Sequence, residues 1–442
     1  MIKLLVAVMV LVISLGAFLY ALADHSSLFA YKIEHRSGEG VANKLGDLLN
    51  NKEEKDESDT RHIETPESVR AVYMTSCAAG TPSFRERFIE IVDTTEINSI
   101  VIDIKDYTGT LSFVPENKDL LGLWENSRCG AKDMEGFISK LHEKDVYVIG
   151  RITVFQDPYY VEKNPQWAVQ KASDGSVWRD DKGLAFIDVG AREAWEHTVE
   201  IAKESYYIGF DELNFDYVRY PTDGNLQDIQ FPHTGTASKA NTLETFFKYL
   251  DETLEEEIPN VVTSVDIFGM TTTNFDDMSI GQVLEKTLPY FDYVSPMVYP
   301  SHYPTGFNGW SNPNEVPGPL IKYVMDSAVE RAVADSSIIK TLDSEVIKCE
   351  VEENEESESA EGSTDTEEKP LPPECKKTLY TKESYEADKI RPWLQDFDYG
   401  GDYDAEDVRA QIEATYAAGL DSWMLWDPGN VYTLEALEQK SE

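Results

Sequence analysis

Short apolar, β-branched runs alternate with amphipathic stretches along most of the chain. Eight runs read as strands: VRAVYMTS (69–76), SIVIDIKD (99–106), VYVIGRITVF (146–155), ELNFDYVRY (212–220), VVTSVDIFG (261–269), DYVSPMVYP (292–300), RPWLQDF (391–397) and SWMLWDPG (422–429). Between them lie stretches with helical periodicity, among them FRERFIEIVD, MEGFISKLHEK, AREAWEHTVEIAKESY, TLETFFKYLDETLEE, GPLIKYVMDSAVERAV and AEDVRAQIEATYAAG. Strand–helix alternation is the signature of a parallel α/β fold. Eight repeats point to a (β/α)8 TIM barrel rather than an open doubly wound sheet. VYTLEALEQK, after the last strand, predicts a short closing helix.

Two polar segments interrupt the pattern. Residues 24–66, centred on NNKEEKDESD, read as a linker or stalk. CEVEENEESESAEGSTDTEEKPLPPEC (349–375) lies within an acidic low-complexity insertion of about 341–380, before the seventh strand; it has too little apolar surface to fold alone. Residues 1–23 carry Lys3, an unbroken apolar run from Leu4 to Tyr20, and Ala21-Leu22-Ala23. This fits a signal peptide with its small-residue cleavage site, or a membrane anchor if uncleaved. Both place the remainder, a barrel domain over 67–435, outside the cytoplasm, secreted or tethered.

Strand residues alternate sides. With the polar side of each strand turned inward, the barrel interior gathers Tyr73, Thr75, Asp103, Lys105, Arg151, Thr153, Glu212, Asn214 and Asp216. The later strands add Ser264, Asp266, Ser295, Tyr299, Gln395, Ser422 and Trp426. Most of these sit towards strand C-termini, where barrel enzymes hold their active sites. A charged mouth rimmed by aromatics suits a sugar: hydroxyls need convergent hydrogen-bonding groups, and ring faces need flat apolar surfaces. The plainer reading of Asp103, Lys105, Arg151 and Glu212 is an ion-pair network that only holds the barrel together.

Hydrolysis of a glycosidic bond asks for two carboxyl groups facing each other, one ionised and one protonated. Asp216, closing the fourth strand, suits the nucleophile or stabiliser, with Arg219 nearby to keep it charged. Asp266 on the fifth strand suits the acid/base, with Asp106 and Asp223 as substitutes. Trp426 would floor the central sugar site; Tyr299 and His302 would contact hydroxyls; Tyr107 and Trp310 would line outer positions.

The charge balance narrows the partners. The 442 residues include 82 Asp plus Glu against 39 Lys plus Arg, a net charge of −43. Such acidity opposes nucleic acid and anionic membrane surfaces. The implied partner is a polysaccharide or oligosaccharide, taken by a monomer that needs no cofactor. No phosphate-binding glycine loop, HExxH or GxSxG occurs, and the histidines lack metal-ligand spacing, so no metal site is expected. DYGGDYDAED (398–407) reads as an acidic loop capping the next helix rather than as a calcium loop. Four cysteines in an exported chain suggest disulfides. Cys349 and Cys375 flank the acidic segment; Cys77 and Cys129 fall on loops at one end of the barrel and are a second candidate pair.

FDELNFDYVRYP, with VIDIKDYTG before it and SPMVYPSHY and LWDPGN after it, resembles bacterial glycosyl hydrolase-like barrel domains of unknown function, distantly related to α-amylase-type barrels. The resemblance spans about 67–435 apart from the insertion. It implies that Asp216 matches the strand-four aspartate nucleophile of amylase-type enzymes, and that Asp103, Lys105, Tyr299 and Trp426 match motif positions. Two places depart from the amylase pattern. Asn214 stands where those barrels carry an arginine, and Asp266 is the nearest group to their strand-five glutamate. Against the chitinase-type DxxDxDxE motif, Asp211, Asn214, Asp216 and Val218 fall at the four places, so the acid glutamate is missing. These departures keep a non-catalytic carbohydrate-binding barrel and a structural envelope module as alternatives.

Overall fold

The structure, a computed structural model, describes residues 61–339 and 378–440. Eight parallel strands close a barrel: β1 (Arg70–Met74), β2 (Ser99–Lys105), β3 (Tyr147–Thr153), β4 (Glu212–Asp216), β5 (Val262–Phe268), β6 (Tyr293–Met297), β9 (Trp393–Gln395) and β10 (Trp423–Trp426). The missing numbers belong to an antiparallel ribbon outside the barrel, β7 (Ser336–Ile339) with β8 (Thr378–Thr381). This ribbon, not expected from the sequence, flanks the acidic insertion, most of which lies outside the described residues, as do Cys349 and Cys375. The seam between β6 and β9 is the weakest, with one registered pair, Met297 with Trp393, beside an isolated Val294–Ile390 bridge.

The pleat carries the expected alternation. On β2, Ile100, Ile102 and Ile104 join the large apolar layer under the helices, while Val101 joins the apolar cluster inside the barrel with Tyr73, Tyr147, Ile149 and Trp393. Among the described residues, the helices over the barrel include α1 (Pro82–Thr94), α2 (Met134–His142), α3 (Trp195–Tyr207), α4 (Lys239–Glu257), α5 (Leu284–Thr287), α6 (Pro317–Val333) and α7 (Ala405–Ala417). In α4, Leu243, Phe246, Phe247, Leu250 and Leu254 recur every three or four residues and are buried as one stripe. Full burial of each such side chain contributes about 1.5–3 kcal/mol. Ser238 caps this helix by accepting from Asn241 N.

The acidic loop at 398–407 does cap a helix. Asp404 accepts from the backbone of Glu406 and Asp407, and Asp407 reaches back to Asp404 N, a capping box at the start of α7. After β10 only a single 3-10 turn forms, Leu434–Ala436, in place of the expected helix. The end of the expected linker is bound to the barrel: Ile63 N donates to Asp211 Oδ1 at 2.7 Å, and the Thr65 and Tyr147 hydroxyls are 3.0 Å apart. Cys77 and Cys129 form a disulfide, with Cα atoms 4.6 Å apart. Among the described residues no helix is long and apolar enough to cross a membrane; the N-terminal apolar run lies outside them.

Candidate active site

The inward polar residues converge on Arg151. Its strand, β3, runs beside β2 and β4, and Arg151 is in register with Asp103 on one side and Asn214 on the other. Its guanidinium donates through Nη1 to Asp103 Oδ1 at 2.7 Å and through Nε to Asp216 Oδ2 at 3.1 Å, with Nη2 on the same Asp216 oxygen. Asp266 Oδ2 lies 3.9 Å from Nε. One arginine therefore stands among three carboxyls. The Nε distances cap the separation between Asp216 Oδ2 and Asp266 Oδ2 at about 7 Å, so the two carboxyls are close neighbours at the mouth.

The two strand-end aspartates differ in their surroundings. Asp216 is ion-paired with Arg151, and its Oδ1 accepts from Tyr217 N at 2.5 Å. Tyr217 adopts φ +53°, a left-handed backbone that is rare for a bulky residue and turns its N–H back onto this carboxylate. Asp266 receives only neutral hydrogen bonds, from Asn214 Nδ2 at 2.9 Å and Trp393 Nε1 at 2.8 Å. Burial, and then the neighbouring Asp216 charge, hold the Asp266 carboxyl well above the usual carboxylate range. The arrangement pairs an ion-bound carboxylate with a carboxyl that tends to keep its proton.

Asp103 completes the cluster. Its Oδ2 accepts from Tyr73 Oη at 2.5 Å, and burial raises its pKa to about 6 against the lowering pull of Arg151 and Tyr73. The Tyr73 ring stacks on Trp426 with centroids 3.8 Å apart, and Arg151 lies 5.0 Å from the Trp426 ring centre.

The cluster opens to solvent. A cavity of about 520 Å³ is lined by Asp216, Asp266, Arg151 and Tyr299 with apolar Phe268 and Met297. A second, of about 760 Å³, adjoins it across Arg151, Tyr217 and Trp426 and reaches Tyr73, Asp103 and Tyr107. The mouth of the barrel is thus a cleft with the carboxyls on its floor.

The expected site residues fall into three groups. Asp103, Arg151, Asp216, Asp266, Tyr299 and Trp426 come together at the cleft. Tyr107 and His302 stand exposed on its rim, Arg219 is half-buried in its wall, and Asp106 and Asp223 also line it. Lys105 and Asn214 do not reach it. A bulge between Asp103 and Lys105 shifts the register, so Lys105 pairs with Ile152 and turns to a fully buried ion pair with Asp157 at 2.6 Å. Asn214, fully buried, holds Asp266 from below and also donates to Ser264 Oγ at 3.0 Å. Arg219 is not the partner of Asp216; its guanidinium lies over Tyr217 and Phe268, and Arg151 makes the ion pair instead. Strand register brings the Arg151 guanidinium to the level of Asn214 on the neighbouring strand. Trp310 packs among Phe307 and Tyr323. Trp393, overlooked in the sequence, lies two residues before inward Gln395, so the same alternation marks it.

Residues 71–341 and 366–432 match a protein family described as "Putative glycosyl hydrolase domain". No curated protein matches the chain. Among solved structures, the glycoside hydrolase domain of PgaB (BpsB) from Bordetella bronchiseptica is similar with a TM-score of 0.52, at 13% identity, over 85% of this chain and 100% of that one. A hypothetical protein from Ruminiclostridium thermocellum is 31% identical over 44% of this chain and 96% of its own, with a TM-score of 0.38. TtGalA, an α-galactosidase from Thermus thermophilus solved with stachyose, has 12% identity over 84% of this chain and 64% of its own, with a TM-score of 0.43. The first of these shares the barrel fold; no site residue is carried over from any of them.

Proposed function

The chain belongs to this glycosyl hydrolase domain family, and from that premise we propose that it cleaves glycosidic bonds in a polysaccharide with Asp216 and Asp266 as its two carboxyls. The observation that carries the reading is their pairing: one carboxylate bound to Arg151, one carboxyl held towards its neutral form, both lining one open cavity. Asp266 donates its proton to the leaving glycosidic oxygen as the bond to the anomeric carbon breaks. The Asp216 carboxylate meets the positive charge that develops on that carbon; its Oδ2 holds both Arg151 hydrogen bonds, and its Oδ1, which accepts only from Tyr217 N, keeps a lone pair for the substrate. Water then delivers hydroxide to the anomeric carbon and returns a proton to Asp266, so the products are two sugars with no net change at the protein. Trp426, Tyr299 and Phe268 offer ring faces to the sugar. Asn214 and Trp393 fix the acid in place.

The apolar run at residues 4–20 and the Ala21-Leu22-Ala23 site support export, with the domain acting outside the cytoplasm. The test is a panel of neutral and acidic polysaccharides offered to the purified protein and to Asp216→Asn and Asp266→Asn, with new reducing ends as readout. Cleavage by the wild type alone is expected. If no glycan is cleaved, or Asp216→Asn matches the wild type, the hydrolase reading fails.

A further inference from the structure

The cleft does not end at the second cavity. A third, of about 490 Å³, adjoins it across Cys77, Asp106 and Tyr107 and continues to Asn126, Tyr159 and Arg179. The carboxyl pair sits in the first cavity, so a long arm runs away from it on one side. Each cavity alone has the size that suits a small ligand. Together they form a track for a chain.

This arm carries cations without counter-ions. Lys182 lines the second cavity, and Arg128 and Arg179 line the third; all three are exposed. Among the described residues none of them forms an ion pair; Arg179 donates only to the backbone oxygen of Gly183, at 3.0 Å. The carboxylates of the arm are mostly engaged. Asp103 is paired with Arg151, and Glu162 lies 4.0 Å from Lys163. Asp106 accepts from Thr108 N and Oγ1 and from Ser76 Oγ. Three cations without an ion pair thus line the arm with Asp106 and Glu162; Asp180 and Asp181, between Arg179 and Lys182 in the chain, line neither cavity, and Asp180 accepts from the backbone N–H groups of Lys182 and Leu184. The chain as a whole carries −43, a field that repels anions, so cations without ion pairs lining the track stand out against the general trend. The disulfide Cys77–Cys129 closes the same rim and fixes the loop that holds Arg128.

We propose that this arm reads an anionic substituent, carboxylate or phosphate, on sugar units next to the one being cleaved, so that the substrate is an acidic polysaccharide. Arginine presents a planar fork that matches either oxyanion, and lysine adds a point charge. Tyr107, more than half exposed at the junction of the second and third cavities, offers a ring face to a sugar between the cations and the carboxyl pair.

The proposal rests on the hydrolase reading, and its test begins where that one ends, with the glycan cleaved fastest in the panel. That glycan is expected to be acidic. Methyl esterification of a carboxylated substrate, or removal of phosphate from a phosphorylated one, is expected to raise KM, which also tells the two sources apart. Arg128→Ala, Arg179→Ala and Lys182→Ala are each expected to raise KM for the acidic substrate roughly two- to five-fold, the scale of an exposed ion pair. The effect should shrink on the neutralised substrate. With the wild type alone, added salt should raise KM for the acidic form more than for the neutral one. A preference for a neutral glycan, or equal effects on both forms, would overturn the proposal while leaving hydrolysis standing. Absence of any cleavage would instead remove the reading beneath it.

Discussion

Strand β4 supplies two acids to the barrel interior, and each meets an arginine. At its start, Glu212 takes Arg391 Nη1 on both oxygens at 2.9 and 3.0 Å and accepts from Tyr147 Oη at 3.1 Å; acid and arginine are fully buried. At its end, Asp216 meets Arg151 on the floor of a cavity. The chemistry of the two pairs is alike, and their access to solvent is not. A sealed pair has nothing to act on, so its worth is structural, and its removal leaves a buried charge without a partner. An open pair can exchange a protein contact for a substrate contact. Charge in a barrel interior therefore becomes a candidate for catalysis only at the layer that solvent reaches.

The widest separation between the layers should come from matched amide substitutions. Asp216→Asn is expected to lower kcat by about a thousandfold or more while the unfolding midpoint in denaturant changes little. Glu212→Gln should do the reverse. It leaves Arg391 buried without a counter-charge and should cost about 3–5 kcal/mol in urea unfolding. Whatever fraction folds should keep its kcat. If Glu212→Gln abolishes turnover in protein that is still folded, the two layers are not functionally distinct.

Most of this contrast could be read in the sequence, because a strand has a strict two-residue period. Once the polar face was set inward, Asp103, Arg151, Glu212, Asn214, Asp216 and Asp266 followed together. Position along the strand already set Asp216, at its C-terminal end, apart from Glu212 at its start; what the sequence could not show is the partner that seals Glu212, Arg391. It also fails where the period breaks: the bulge after Asp103 sends Lys105 to Asp157. Partners across strands were equally hidden. Arg219 is near Asp216 in the chain, but strand register brings Arg151 to it. The β7–β8 ribbon escaped notice because its two short strands are split by the acidic segment.

Within the open layer, Asp266 and Asp216 should separate by pH. Asp266 works as an acid only while protonated, and its pKa is raised by burial and by the Asp216 charge. kcat/KM should therefore fall on the alkaline side, as pH climbs through that raised value. Asp266→Asn is expected to lower kcat by about 10²- to 10⁴-fold and to abolish the alkaline limb. A limb that survives in Asp266→Asn would move the acid role to another group, with Asp106 and Asp223 next to be substituted.

Asp103 tests how much stability the open layer gives up to keep its charges. Its pKa in the folded protein, about 6, lies above the ordinary 3.8, so the folded state holds this proton more tightly than the unfolded chain does. Its contribution to stability is complete below 3.8 and is lost as pH rises to about 6. Asp103→Asn should remove that share of the slope, on the order of 2–3 kcal/mol across the window. Asp396, also raised to about 6 by burial, should leave its own share in the variant. Parallel slopes for wild type and Asp103→Asn would mean that Arg151 and Tyr73 fully offset its burial.

The smallest expected effect concerns which cation governs the open pair. Arg219 sits three residues after Asp216, yet its guanidinium rests 4.8 Å from the centres of the Tyr217 and Phe268 rings and donates to Tyr220 O and Thr222 Oγ1. Loss of its charge changes the long-range field at Asp216 but breaks no contact with it. Arg219→Gln should therefore shift kcat by less than about threefold, the scale of a weak, partly solvated charge interaction. Its effect should fall on KM, through the wall that it shares with Tyr217. Arg151→Gln removes the guanidinium that both Asp103 and Asp216 contact and should lower kcat far more. Equal losses in the two variants would show that the open carboxylates respond to total positive charge rather than to the one arginine placed between them.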